Sequence, residues 1–194
     1  MAFTEIAGSI LGAIAGLLLI RRSIWSYPFG IAMVGLYALV FLRARLYCDA
    51  ALQLFFLAVQ IYGWINWAAS RAARGAVTVK RMTGGELALW AVIVAGATAG
   101  DYALLVRHTQ DAAPLLDALI TAFSIAAQIL LAIRLLETWI AWIMVDVIGV
   151  ALYLGQHLYT VAGVYVIFLS LSVAGLIAWR QAWQAQQATS RATG

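Results

Sequence analysis

The chain has 194 residues, of which 65% are hydrophobic and 10% charged, with a formal net charge of +4. Soluble domains carry about 25% charged residues, and a soluble fold of this size could not hide so much apolar surface from water. The apolar residues fall in blocks of roughly 18–22, the length that crosses ~30 Å of hydrocarbon, so the expectation is an all-α polytopic membrane protein. The alternating pattern of a membrane β-barrel is absent. The basic residues sit in the short gaps between blocks, so the positive charge marks membrane topology and needs no nucleic-acid partner. A single cysteine, Cys48, leaves no intramolecular disulfide, and no cofactor or metal site is expected.

Taken in order, the blocks predict seven transmembrane helices: Glu5–Ile20, Trp25–Leu42, Tyr47–Trp67, Glu86–Val106, Leu115–Ile133, Glu137–Leu154 and Leu158–Trp183. The first has no preceding Lys or Arg and no clear cleavage site, so it reads as a span and not as a removed signal peptide. Asp49 falls in the first turn of the third helix, where its charge suits the dipole. Pro28 falls in the first turn of the second and need not kink it. A polar loop, Ser70–Gly85, precedes the fourth helix, and Thr83 with Glu86 reads as the capping box that opens it. Pro114 precedes the fifth helix, where its missing N–H costs nothing.

Orientation follows from the 12 Lys and Arg residues. With the N-terminus outside, the inner segments hold Arg21, Arg22, Arg71, Arg74, Lys80, Arg81, Arg134, Arg180 and Arg191. The outer segments then hold only Arg43, Arg45 and Arg107. The C-terminus is therefore expected in the cytoplasm.

The chain also repeats. Shifted by 112 residues without gaps, positions 17–67 meet positions 129–179 with 13 identities. Among them Arg22 meets Arg134, Tyr47 meets Tyr159, Gly63 meets Gly175 and Trp67 meets Trp179. The shift spans four helices, so both copies keep one orientation. The expected organisation is a first three-helix bundle over 1–69, a loop and linker helix over 70–113, a second three-helix bundle over 114–183, and a cytoplasmic tail over 184–194. Parallel repeats of this kind are a transporter solution, with the substrate site at the repeat interface near mid-membrane.

Polar residues inside the spans point to such a site. The fifth helix carries Asp117, Thr121, Ser124 and Gln128 on one face. The sixth carries Trp139, Trp142, Asp146 and Tyr153, and the third Gln53, Gln60, Trp64 and Trp67, each roughly on one face. Such groups are costly in hydrocarbon, so these faces should turn inward. The 112-residue shift sets the fifth-helix stripe over Glu5, Ser9, Gly12 and Gly16 of the first helix, which predicts a site richer in hydrogen bonds on the second copy. Bland readings stand beside the functional ones. Trp64, Trp67 and Trp179 lie near helix ends, where Trp forms interfacial belts. Thr121 and Ser124 also suit bonds to their own helix, and Asp49, Glu86 and Asp111 suit helix starts or loops. Arg134 and Glu137 could pair at the cytoplasmic edge. Asp146, in the middle of its span, is the sharpest functional candidate. In the third helix the unduplicated residues Gln53, Gln60, Trp64 and Asn66 are the ones to watch.

Tyr27-Pro-Phe-Gly30, Leu46-Tyr47 through Tyr62-Gly63-Trp64, and Glu137-Thr-Trp-Ile-Ala-Trp142 together resemble the PnuC family of bacterial vitamin transporters, over about Ile14 to Trp183. Asp117 and Ser124 also fit that family's fifth helix. The resemblance implies a SWEET-like three-one-three arrangement, a homotrimer in the cell inner membrane, and import of nicotinamide riboside. It further implies facilitated diffusion made one-way by phosphorylation inside the cell. Thr138 and Met33 stand where many or some relatives carry Asn.

The expected mechanism places nicotinamide riboside between the two bundles. Trp139 or Trp142 would stack on the pyridinium and Asp146 would offset its charge. Gln60, Ser124 and Gln128 would hydrogen-bond the carboxamide or ribose, with Trp64 and Asp117 as further substrate-binding candidates. The bundles would rock about the site in alternating access. Thiamine, also a cation, is the nearest rival substrate, and riboflavin is a neutral one. A proton-coupled carrier using Asp146 or Asp117 is a further alternative. An intramembrane enzyme lacks support, because His108 and His157 have no catalytic or metal-ligating partners at suitable spacing. A retinal-type receptor would want a lysine in its last helix, and Lys80 lies in a loop.

Overall fold

Four helix ends set the frame of this molecule. A helix leaves its last carbonyls unpaired, and a left-handed residue after the last turn lets its own N–H and the next one reach back to them. Glycine usually holds that position, because a side chain there costs about 1–2 kcal/mol. In the computed structural model of the chain, four such residues are not glycine: Arg22 (φ 55°), Arg45 (φ 60°), Arg134 (φ 67°) and His157 (φ 59°). Three of the four are arginines, and a cation beside a helix C-terminus complements the macrodipole.

The structure describes the backbone of residues 2–110 and 112–192, and side chains there except at 2–6, 9, 48, 49 and 192. The expectations for the side chains of Glu5, Ser9, Asp49 and Asp111 lie outside the described residues. The elements are α1 (Ala2–Ile20), α2 (Ser26–Arg43), α3 (Tyr47–Arg74), α4 (Gly84–His108), α5 (Pro114–Ala132), α6 (Thr138–Gly155) and α7 (Tyr159–Ala192). Helices α2 to α7 are each long and apolar enough to cross a membrane, and α1 is apolar over Ile10–Ile20. Two helices run on past their predicted ends: α3 to Arg74 instead of Trp67, and α7 to Ala192 instead of Trp183. The first extension, 68–74, is rich in Ala and Arg, and the second, 184–192, in Ala and Gln. A helix needs no membrane to continue, and these residues are good helix formers.

The repeat is written in the backbone. At the end of α1, Arg22 N–H donates to Leu19 O at 2.9 Å and Ser23 N–H to Leu18 O at 2.9 Å. At the end of α5, Arg134 N–H donates to Leu131 O at 3.0 Å and Leu135 N–H to Leu130 O at 2.9 Å. Every partner is displaced by the same 112 residues. The ends of α2 and α6 match in the same way: Leu46 N–H donates to Phe41 O, and Leu158 N–H to Tyr153 O. The turns agree in length as well: 21–25 and 133–137 are five residues each, 44–46 and 156–158 three each.

Contacts divide the chain into two compact units. One comprises Met1–Val79, Leu131–Arg134 and Ala178–Gly194; the other comprises Lys80–Leu130 and Leu135–Ile177. In the first, α2 packs on both α1 and α3. Small residues permit the approach: Gly63 lies against the Tyr27 ring and Gly12 against the Met33 sulfur. At its centre Trp67 and Trp179 are both 0% exposed. Their ring centroids are 5.5 Å apart, and Tyr27 meets Trp67 edge-on at 5.2 Å. The two indoles act reciprocally across the repeat. Trp67 Nε1 donates to Leu131 O at 3.0 Å, and Trp179 Nε1 donates to Leu19 O at 3.2 Å. The interfacial-belt reading of these two tryptophans is therefore corrected: an indole whose N–H closes a helix end is buried core.

In the second unit, α5 turns a row of alanines inward, Ala118, Ala122, Ala126 and Ala127. Thr138 Oγ1 donates to Ala127 O at 2.8 Å. The segment before α4 is tied down by Leu136 N–H to Lys80 O at 2.9 Å and Met82 N–H to Glu137 Oε2 at 3.2 Å. Glu137 also lies 3.8 Å from Arg81, which replaces the expected partner Arg134. The capping box at α4 forms as expected: Glu86 N–H donates to Thr83 Oγ1, and Thr83 N–H to Glu86 Oε2. Thr83→Ala should lower stability by about 1 kcal/mol, read as a drop in the thermal midpoint of the purified protein. An unchanged midpoint would mean that the helix start is held by the preceding loop instead.

Candidate functional site

The contacts around Asp146 lie in the second unit, between α6 and α7. Helix α6 presents Trp139, Asp146, Gly149 and Tyr153 at steps of seven, three and four. Helix α7 answers with Tyr165, Phe168, Ser172 and Gly175 at steps of three, four and three. These are the spacings of single helical faces. The pairing runs antiparallel. The Trp139 ring lies on Gly175, where a Cβ would collide with it, and Tyr165 lies in the same way on Gly149. Tyr153 and Tyr165 pair with centroids 5.2 Å apart, and Phe168 meets Tyr165 edge-on at 6.2 Å.

Asp146 sits between these aromatic contacts. It is 3% exposed, and its Oδ2 accepts a 2.7 Å hydrogen bond from Ser172 Oγ. A carboxylate at mid-span is expensive unless something compensates it. One hydroxyl contributes a strong bond but no charge. The 112-residue shift maps Asp146 onto Val34, also buried, and Ser172 onto Gln60. The repeat thus keeps the position and changes its chemistry.

Of the other expected site residues, Gln128 and Trp139 are buried. Asp117, Ser124 and Trp142 are half-buried on the same unit. Gln60 and Trp64 belong to the first unit. Gln60 is buried with its Oε1 against Gly30, whereas Trp64 is 40% exposed on α3. Asn66 is engaged structurally: its Nδ2 donates to Ala132 O at 2.8 Å and caps the end of α5. Thr138, one of the two positions that depart from the resembled family, is 0% exposed and turned into its own unit. Ser172 is the residue that sequence reasoning missed. Its signal was available, since it stands at the repeat position of Gln60.

The second unit also holds a cavity of about 670 Å³ along α4, lined among others by Trp90, Val94, Thr98, Tyr102 and Phe123. None of the eight candidate residues lines it. Its walls are almost wholly apolar, so they suit hydrocarbon and not a polar solute.

The family model described as nicotinamide mononucleotide transporter matches residues 2–181 of this chain. The chain belongs to this family. It is therefore a multi-pass membrane transport protein and not an enzyme. Within the family's wider circle, the nicotinamide riboside transporter PnuC of Escherichia coli is 28% identical over 198 residues, covering 87% of this chain and 83% of the relative. The PnuC of Neisseria mucosa is 29% identical over 184 residues, covering 87% and 70%. The riboflavin/roseoflavin transporter RibM of Streptomyces davaonensis is 32% identical over 188 residues, covering 91% and 84%. A crystal structure of the vitamin B3 transporter PnuC matches with a TM-score of 0.73 at 24% identity, over 95% of this chain and 83% of that one. That likeness establishes a shared fold for the family member described here.

Proposed function

We propose that this protein imports nicotinamide riboside across the bacterial inner membrane. It does so by facilitated diffusion with alternating access, and phosphorylation inside the cell traps the substrate. The observation that carries the reading is Asp146, a buried mid-span carboxylate answered by a single neutral hydroxyl. A pyridinium ring supplies the missing positive charge, and its flat face suits an aromatic platform. Trp139 has its ring committed to Gly175, so the stacking role goes to Trp142. Gln128, Ser124 and Asp117 on α5 supply hydrogen bonds for ribose and carboxamide. The relatives named as nicotinamide riboside transporters support the same substrate. The wider arrangement follows the repeat: three helices, the linker α4 and three helices, with the N-terminus outside, the C-terminus in the cytoplasm, and three copies to a complex.

Riboflavin is the second reading, favoured by the 32% identity to the riboflavin/roseoflavin transporter. A neutral flavin leaves the Asp146 charge unanswered, which is why it stands second. Uptake of labelled nicotinamide riboside into proteoliposomes separates the two. Excess unlabelled nicotinamide riboside should suppress uptake, while riboflavin and thiamine should not. Saturable uptake of labelled riboflavin, with none of labelled nicotinamide riboside, would transfer the assignment to the flavin.

A further inference from the structure

Two arginines of the first unit converge on one neutral oxygen. Arg74, in the last turn of α3, donates to Thr78 Oγ1 at 3.3 Å, and Arg134, in the turn after α5, donates to the same atom at 3.2 Å. Thr78 is held for this purpose: its N–H donates to Ser70 Oγ at 3.2 Å, and the two hydroxyls lie 3.2 Å apart. A hydroxyl oxygen has two lone pairs, so two guanidinium groups use up its acceptor capacity. It offers them no charge.

Arg134 is only 9% exposed, yet no carboxylate pairs with it or with Arg74 among the described residues. Its Nε has no hydrogen-bond partner, and its second amino group makes only a 3.4 Å contact with Asn66 Oδ1. These contacts are longer than the roughly 2.7–2.9 Å of guanidinium bonds to carboxylate or phosphate. Burial, and next the Arg74 charge, pull the Arg134 guanidinium below its usual value. Beside it the Tyr27 hydroxyl is also buried without a partner. Removing a buried cation from water without a counter-charge is costly. Exposed Arg74 and half-buried Thr78 leave the cluster open to the surrounding water.

We propose that Arg74, Arg134 and Thr78 form a binding site for a phosphate-type oxyanion, carried either by a soluble phosphate or by a lipid headgroup. Forked guanidinium groups match the tetrahedral oxygens of phosphate, and Thr78 supplies a hydroxyl donor once an acceptor arrives. The site's three residues belong to the first unit, and Asp146 to the second. The site adds an anion-responsive element to the transporter, not a second substrate pocket.

Thermal unfolding of the purified full-length protein tests it without reference to transport. Sodium phosphate should raise the midpoint saturably, beyond sodium chloride at equal ionic strength. Arg74→Gln, an exposed change that leaves the fold intact, should weaken the apparent affinity about tenfold, the loss of one charge-assisted contact. Arg134→Lys, which keeps the charge and removes the fork, should weaken it similarly. Arg71→Gln should leave it unchanged. A second arm compares vesicles of phosphatidylcholine with vesicles that also contain phosphatidic acid. Stabilisation confined to phosphatidic acid, and reduced by Arg74→Gln, assigns the site to a headgroup. Equal responses to phosphate and chloride, with no difference between the vesicles, overturn the proposal. So does a phosphate response that survives both Arg74→Gln and Arg134→Lys.

Discussion

Replacing Asp146 by Asn is expected to cut uptake of nicotinamide riboside about a hundredfold, or about 3 kcal/mol at roughly 1.4 kcal/mol per decade. The substitution changes almost nothing but charge. Ser172 can donate to the amide oxygen as it does to Oδ2, and the packing of Gly149 and Tyr165 nearby is untouched. The protein should therefore reach the membrane in normal amounts, and the loss should lie in transport alone. Ser172→Ala should have a smaller effect, because the carboxylate survives and loses only its orientation. Initial uptake rates in proteoliposomes at matched protein density measure both. Wild-type rates for Asp146→Asn would show that the substrate does not need the carboxylate, and a neutral vitamin would then become the better assignment.

The second large effect belongs to the tryptophan pair. Trp67→Ala or Trp179→Ala should each destabilise the protein by about 3–5 kcal/mol, the usual cost of emptying the space of a large buried ring. Both rings are fully buried, and each closes the end of a helix in the other half of the repeat. Phenylalanine at either position keeps most of the packing and removes the N–H. It should cost about 1–3 kcal/mol, the penalty of a buried carbonyl left without its donor. Because the rings touch, the double Phe variant should depart from additivity by about 0.5–1.5 kcal/mol. Denaturant or thermal unfolding in one detergent gives all four corners of the cycle. Equal and additive effects of a few tenths would mean that the indole bonds contribute little.

Much of this fold was legible in the residues. Seven apolar blocks gave seven helices, the Thr83–Glu86 pair marked a real capping box, and the 112-residue offset reappears bond for bond at the helix ends. The stops were harder to read, because the usual glycine is missing from four of them. Arg22, Arg45, Arg134 and His157 hold the left-handed position instead, and in sequence an arginine there looks like an ordinary loop charge. Trp67 and Trp179 misled for a related reason. Proximity to a helix end suggests a lipid interface, and only the position of Leu131 and Leu19 reveals a buried donor. Asp146 could be found from depth alone. Ser172 could not, since one serine in an apolar helix usually bonds its own backbone, as Ser170 does to Val166 O.

The short turn between α6 and α7 also matters while the protein is being made. Ribosomes deliver the chain from the N-terminus, so Asp146 enters the insertion machinery before its partner exists. Ser172 follows only 26 residues later, after a three-residue turn. At roughly 5–20 residues per second, the carboxylate waits about a few seconds for its hydroxyl. Helices α6 and α7 are thus suited to leave the translocon as a hairpin, with the acid already covered. A longer loop at 156–158 would lengthen that wait and expose a nascent intermediate to quality-control proteases.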